Sequence, residues 1–231
     1  MALILGVETA TPVCSVALIR DGEVMARLES HRGNDHSALL TVFVEQMLKE
    51  SGIALSDLHA VAVSKGPGSY TGLRIGVSAA KGYCYALSIP LIAVPTLLSM
   101  AAGMLAHDTM PGRHQYFCPM IDARRMEVYA SVYDSSLREL SPVTATVITK
   151  DSFSTYLEQG PVIFFGNGAM KTRDVLGDHP NAVFDAMPAS AAYMGNLAET
   201  FYQQKRFEDV AYFEPFYLKD FIAGKPRVKG L

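Results

Sequence analysis

The sequence predicts an α/β fold of two lobes, each a mixed sheet flanked by helices, and three observations carry that reading. Short apolar runs alternate with helical patterns along the 231 residues. The first half opens with three consecutive strands and then passes into strand–helix units. A polar segment, His107 to His114, holds Pro111 and Gly112 and separates that half from a second one that begins with the same element order.

The elements follow from local pattern. Ala2 to Val7 is an apolar run. Val13 to Ile19 alternates around Cys14, Val16 and Leu18, and Asp21-Gly22 is a hairpin signal leading into Glu23 to Leu28. His36 to Glu50 has helical periodicity, with Asn34 or Asp35 as N-cap. Its Ser37, Thr41, Glu45 and Lys49 form one polar stripe. Leu39, Leu40, Val42, Phe43, Val44, Met47 and Leu48 fill most of the remaining circumference, a wider arc than one sheet face needs. The run HAVAVS, His59 to Ser64, reads as a buried parallel strand. After the loop Gly66-Pro67-Gly68-Ser69, Tyr70 to Leu87 is a second helix whose polar residues, Arg74, Ser78 and Lys81, make only a narrow stripe. Leu91 to Val94 is a strand and Thr96 to Leu105 a helix.

In the second half Gln115 to Ile121, Glu127 to Tyr133 and Val143 to Ile148 read as strands, and Lys150 to Gln159 as a helix. Val162 to Phe165 is a strand ending in Gly166-Asn167-Gly168, and Ala189 to Gln204 is a helix announced by Pro188. A meander of three strands passing into parallel units is the layout of the actin-like, sugar-kinase-like ATPase fold. The chain accordingly divides into a lobe at 1–108 and a lobe at 109–231, with the 189–204 helix expected to pack back onto the first.

Hydrophobic residues make up 49% and charged residues 19%, enough to build a core and too apolar for a disordered chain. A net charge of −3 does not fit a protein that grips nucleic acid alone, because such affinity comes largely from neutralising phosphates. Any RNA is expected to be held mainly by a partner. Three cysteines without CxxC spacing argue against a disulfide framework and for a reduced, cytoplasmic setting. The first residues lack the basic start of a signal peptide, and no apolar run approaches the ~20 residues of a membrane span.

Several motifs invite a chemical reading. The segment from Lys65 to Gly72 joins a buried strand to a helix, which suits either an anion site or a tight turn that admits close packing. It has neither P-loop nor dinucleotide spacing. Gly72, Gly76 and Ala80 recur every four residues as one small-residue face, open either to the chain's own first helix or to a second protein. The surplus apolar surface of the two helices favours the second protein. Leu39 and Phe43, with Gly72, Leu73, Gly76, Val77, Ala80 and Tyr83, form the candidate partner interface. On that reading Gly76→Leu blocks pairing without unfolding the lobe.

Glu8 ends the first strand, where actin-like ATPases commonly use an Asp with Mg²⁺. The extra methylene argues against hydrolysis, because Mg²⁺ geometry is strict. Asp122 sits at the matching turn of the second half, where Asp is common for purely structural reasons. The six histidines form neither HExxH nor HxxxH, no GxSxG elbow is present, and Cys84 sits inside an apolar helix. No catalytic residue and no metal site is assigned. The basic tail, Lys219, Lys225, Arg227 and Lys229, reads as a solvated terminus.

Four segments together resemble one family. They are Glu8-Thr9-Ala10-Thr11 with Cys14-Ser15-Val16-Ala17-Leu18, Gly66-Pro67-Gly68-Ser69-Tyr70-Thr71-Gly72-Leu73-Arg74-Ile75-Gly76, Ile121-Asp122-Ala123-Arg124-Arg125-Met126-Glu127-Val128-Tyr129, and Glu214-Pro215-Phe216-Tyr217-Leu218. This set resembles the bacterial TsaB family, also called YeaZ and once labelled glycoprotease-like. The resemblance implies an actin-like (ASKHA) fold and a non-catalytic role in forming N6-threonylcarbamoyladenosine in tRNA. It implies a heterodimer with the transferase TsaD through the first two helices, and recruitment of the ATPase TsaE. It also implies tRNA contact indirectly through the complex, no intrinsic cofactor, ATP or ADP at the partner interface, and self-pairing when alone. The rival reading is an active nucleotide hydrolase or a glycoprotease-like metallopeptidase.

Overall fold

The structure is a computed structural model and describes residues 2–33, 35–107 and 115–219. Asn34, the 108–114 stretch of the predicted boundary, and Lys225, Arg227 and Lys229 lie outside the described residues.

The first sheet contains β1 (Leu3–Glu8), β2 (Cys14–Arg20), β3 (Glu23–Ser30), β4 (Ala60–Ser64) and β5 (Leu91–Val94), in the order β3-β2-β1-β4-β5. The meander β1-β2-β3 is antiparallel, and β4 and β5 add in parallel. The β2–β3 turn is tight because Asp21 and Gly22 both adopt positive φ, 53° and 86°, the geometry two-residue hairpins prefer. Three helices alternate with these strands: α1 (His36–Ser51), α2 (Tyr70–Leu87) and α3 (Thr96–His107). Asp35 is the N-cap residue of α1 but its side chain makes no capping bond, and α1 stops at Gly52, which takes the left-handed conformation at φ 65°. The start of α2 is capped by Ser69, whose Oγ accepts from the Gly72 N–H.

The second sheet contains β6 (Tyr116–Asp122), β7 (Glu127–Ala130), β8 (Tyr133–Asp134), β9 (Thr144–Val147), β10 (Val162–Phe165) and β11 (Ala182–Phe184). Its order is β11-β10-β6-β7-β9, with β8 paired to the start of β6. The pairs β6–β7 and β7–β9 are antiparallel, whereas β6–β10 and β10–β11 are parallel. From β9 to β11 this repeats the first sheet strand for strand, so the repeated element order reflects two sheets of one topology.

Three predicted elements differ. The strand expected from Glu127 to Tyr133 breaks at Ser131 and Val132, which bond to Ser141 instead of to a neighbouring strand. The helix expected from Lys150 to Gln159 shrinks to α4 (Ser154–Leu157), because Phe153 turns to φ 64° and its ring packs against Phe164, centroids 5.4 Å apart. The next helix of this half, α5 (Arg173–Leu176), is equally short. The helix expected from Ala189 to Gln204 starts as a 3-10 turn, Ala191–Met194, and becomes α6 (Gly195–Gln203) where Gly195 lies directly on the backbone of Gly22.

Packing follows the two-residue period of the strands. Leu5, Val7, Val16, Leu18, Val61 and Val63 face α1 and α2, and meet Leu40, Val44, Met47, Val77, Ala80 and Cys84. Ile4, Ile19, Ala62 and Ile92 face the other way and meet Met194, Ala198 and Phe201 of the 3-10 turn and α6. In turn α3 places Leu97, Met100 and Met104 against Phe117, Ile121, Ile163 and Phe165 of the second sheet. The last helix of each half therefore covers the sheet of the other.

Candidate functional site

In open α/β sheets ligands gather outside the carboxyl ends of the strands, which here is where β1 and β4 end and the β4–α2 loop begins. Here that space is closed by the chain itself. A side chain at Gly68 would collide with the backbone of Ala10. The Ser69 N–H donates to Ala10 O at 2.7 Å, the Gly66 N–H to Thr96 Oγ1 at 3.1 Å, and the Gly72 N–H to Ser69 Oγ at 3.2 Å. Three amides that an anion would need are thus already bonded, and the loop behaves as a close-packing turn. The buried His36 pins the facing loop by donating from Nε2 to Thr11 O at 2.9 Å, a role its sequence position gave no sign of.

Glu8 lies fully buried beneath this contact. Its Oε1 accepts from the Ala10 N–H at 2.6 Å, while Oε2 has no partner among the described residues. Burial pushes its pKa up from 4.5 to about 7, offset in part by the Ala10 amide, Ser64 and the Thr9 amide. Asp122 is engaged in structure as well, accepting from the Arg124 N–H at 2.8 Å and from Lys171. Burial drives Cys14 and Cys84 up to about 11 and Cys118 higher still, so all three thiols are neutral at physiological pH. Among the described residues no group of three or more His, Cys, Asp or Glu is placed to hold a metal, and no helix is long and apolar enough to cross a membrane.

The predicted partner interface divides in two. Gly72, Leu73, Gly76, Val77 and Ala80 are buried in the chain's own core and offer no surface. A side chain at Gly72 would strike Thr9 O, and one at Gly76 would strike Thr9 Oγ1, which itself donates to Gly72 O at 2.8 Å. Gly72 and Gly76 seat α2 on the loop after β1, and Ala80 lies in the core cluster shared with Leu40, Val44 and Met47 of α1, so this face is spent within the chain. For the same reason Gly76→Leu would damage the fold instead of sparing it.

Leu39, Phe43 and Tyr83 do remain half-exposed. Ile75 and Ala79 join them in a row packed on the edge of the core, and Val42 stands 50% exposed beside them. Tyr83 packs against the cluster that contains Leu40, Val44 and Met47 of α1, and burial, with the charge of Glu45, raises its hydroxyl pKa. Gly82 and Ala86 continue this flank of α2 in the open, and a side chain at Gly82 would meet nothing within 4 Å. The opposite flank carries a strap from the C-terminal region. Lys81 Nζ donates to Ala211 O at 3.0 Å and Phe213 O at 3.1 Å, the Phe216 N–H donates to Lys65 O at 2.6 Å, and Tyr217 packs on Tyr70. Ile75, Ala79, Gly82 and Ala86 form a second small, apolar stripe that periodicity alone contained but did not rank above the first.

Comparison with known proteins agrees with this architecture. A family model described as TsaD, tRNA N6-adenosine threonylcarbamoyltransferase, matches residues 30–223. The tRNA threonylcarbamoyladenosine biosynthesis protein TsaB of Bacillus subtilis is 31% identical over 229 residues, covering 94% of this chain and 93% of its own. TsaB of Escherichia coli is likewise 31% identical over 229 residues, covering 96% of each chain. The solved structure of YeaZ from Pseudomonas aeruginosa superposes with a TM-score of 0.80 at 25% identity, over 94% of this chain and all of that one, 100%. With two mixed sheets of repeated topology, an actin-like fold and full-length relatives of this kind, the chain belongs to the TsaB (YeaZ) family of tRNA threonylcarbamoyladenosine biosynthesis proteins.

Proposed function

We propose that this chain is a non-catalytic subunit in N6-threonylcarbamoyladenosine formation that docks through α1 and α2 onto a TsaD-type transferase, which carries the chemistry. The observation that carries the reading is the asymmetry of the two halves. Their sheets share one topology, yet the first bears helices of 16 and 18 residues where the second bears two of 4. The long pair shows a half-exposed apolar row, Leu39, Phe43, Ile75, Ala79 and Tyr83, with Gly82 leaving room for a partner backbone. A non-catalytic role is supported by a carboxylate sealed under its own loop and by thiols held neutral. The pair of subunits recruits the TsaE ATPase, takes nucleotide at the shared interface, and holds tRNA mainly through the transferase. Alone, the same face closes on a second copy.

Size-exclusion chromatography with the transferase tests this. Wild type is expected to co-elute, whereas Ala79→Arg elutes separately with little change in thermal midpoint, since Ala79 sits at the edge of the core with its Cβ only partly buried. Co-elution of Ala79→Arg at the wild-type level overturns the reading. One observation favours a nucleotide hydrolase instead: Glu8 ends β1, where such enzymes keep a carboxylate, and its Oε2 has no partner among the described residues. ATP turnover by the isolated chain that disappears in Glu8→Gln would make that the better account.

A further inference from the structure

The β6–β7 turn holds a feature that docking does not use. Arg124 and Arg125 occupy consecutive left-handed positions, at φ 70° and 47°. Left-handed positions favour Gly or Asn when stability alone decides, because larger L-residues are strained there. Retaining two arginines sacrifices stability at the tip, and strain of this kind collects where a side chain has a task.

The surroundings identify the task. Lys171 Nζ donates to Asp122 Oδ1, to Arg125 O at 2.7 Å and to Glu127 O at 2.7 Å, which holds the turn from below. The Asp122 N–H donates to Asn167 Oδ1 at 3.3 Å, tying the base of the turn to the Gly166-Asn167-Gly168 loop. The two nearby carboxylates are already matched: Asp122 pairs with Lys171 and Glu127 with Lys219. Both arginines are exposed, and neither guanidinium has a hydrogen-bond or ion-pair partner among the described residues. The tip therefore carries two unmatched positive charges on a chain whose net charge is −3. Guanidinium groups on a braced scaffold are suited to bidentate contact with phosphate oxygens.

We infer that the Arg124–Arg125 turn is a phosphate-contacting finger through which this chain itself touches the backbone of the RNA substrate. This rests on the tRNA-modification reading but not on the α1–α2 docking face. An exposed tip suits a continuous polyanion better than a free nucleotide, which needs enclosure. The negative net charge is no obstacle, because two local contacts add to a grip that the transferase supplies.

The test is fluorescence anisotropy of a fluorescein-labelled, unmodified tRNA transcript with the full chain in the presence of the transferase, across a salt series from about 50 to 200 mM. Wild type is expected to bind, with affinity falling as salt rises. Arg124→Asn with Arg125→Gly should raise the thermal midpoint, lower affinity on the order of tenfold to a hundredfold at low salt, and reduce the log–log salt slope by about two. Arg124→Gln with Arg125→Gln should lose affinity equally without the gain in midpoint. Co-elution of these variants with the transferase should be unchanged. Unaltered affinity and slope in both double variants overturns the inference, as does wild-type binding that is absent or fully displaced by ATP. None of those results touches the docking proposal, which fails or stands on Ala79→Arg.

Discussion

Glu8 shows how far a single residue can be read. Its place at the end of β1 was legible, because a strand pattern stops there and hydroxyl residues follow. Its state was not, since desolvation depends on what the β4–α2 loop lays over it. The consequence is a definite pH dependence. In the folded chain the carboxyl keeps its proton up to about 7, while in the unfolded chain it loses it near 4.5. Its neutral form thus stabilises the fold fully below about 4.5, and that contribution is lost as pH rises through about 7. The loss amounts to roughly 3 kcal/mol across that window. Urea unfolding at pH 5 and pH 8 should show it, and Glu8→Gln should flatten the difference between the two. A variant with the same pH dependence as wild type would mean that Glu8 is ionised in the fold.

At the scale of the element, α2 was legible in its bounds but not in its phase. Tyr70 and Leu87 end the predicted helix and the observed one alike. The stripe Gly72, Gly76 and Ala80 and the stripe Ile75, Ala79, Gly82 and Ala86 are both small enough to admit a neighbour. Only the position of Thr9 decides that the first faces inward. Two glycines of this one helix should therefore respond oppositely. Gly72→Ala forces a methyl into the Thr9 carbonyl and is expected to destabilise by about 1–3 kcal/mol. Gly82→Ala meets open space and should stabilise by roughly 0.5–1 kcal/mol, the usual gain from removing a mid-helix glycine. Chemical denaturation of both variants measures this; equal signs would place both glycines in one environment. The loss of most of the helix around α4 was beyond periodicity for a related reason. Phe153 leaves the helical conformation to reach Phe164, a contact that depends on the second sheet.

Across the whole molecule, the exchange of terminal helices is the organising feature. α3 follows the strands of the first sheet yet packs on the second, and α6 does the reverse. Met100 illustrates the coupling: it belongs to α3, is 1% exposed, and sits against Gly166 at the end of β10. Met100→Ala is expected to cost roughly 2–5 kcal/mol. It should also speed amide hydrogen exchange in both sheets, with unfolding still in one step. Two separate transitions, or an effect confined to one sheet, would show that the halves unfold independently.

The sequence by itself determined most of the strands, where α1 and α2 run, that two β-meander units succeed one another, and which family's motifs are present. Those properties come from period, turn chemistry and short motifs, all local along the chain. The tertiary structure alone decided which small face of α2 turns inward, that Glu8 is sealed and its pKa raised, and that each half lends its last helix to the other. It also decided that Arg124 and Arg125 stand at a strained turn with no guanidinium partner among the described residues. Each of these depends on which atoms meet across many residues of separation, and burial, charge pairing and helix phase exist only once those atoms have met.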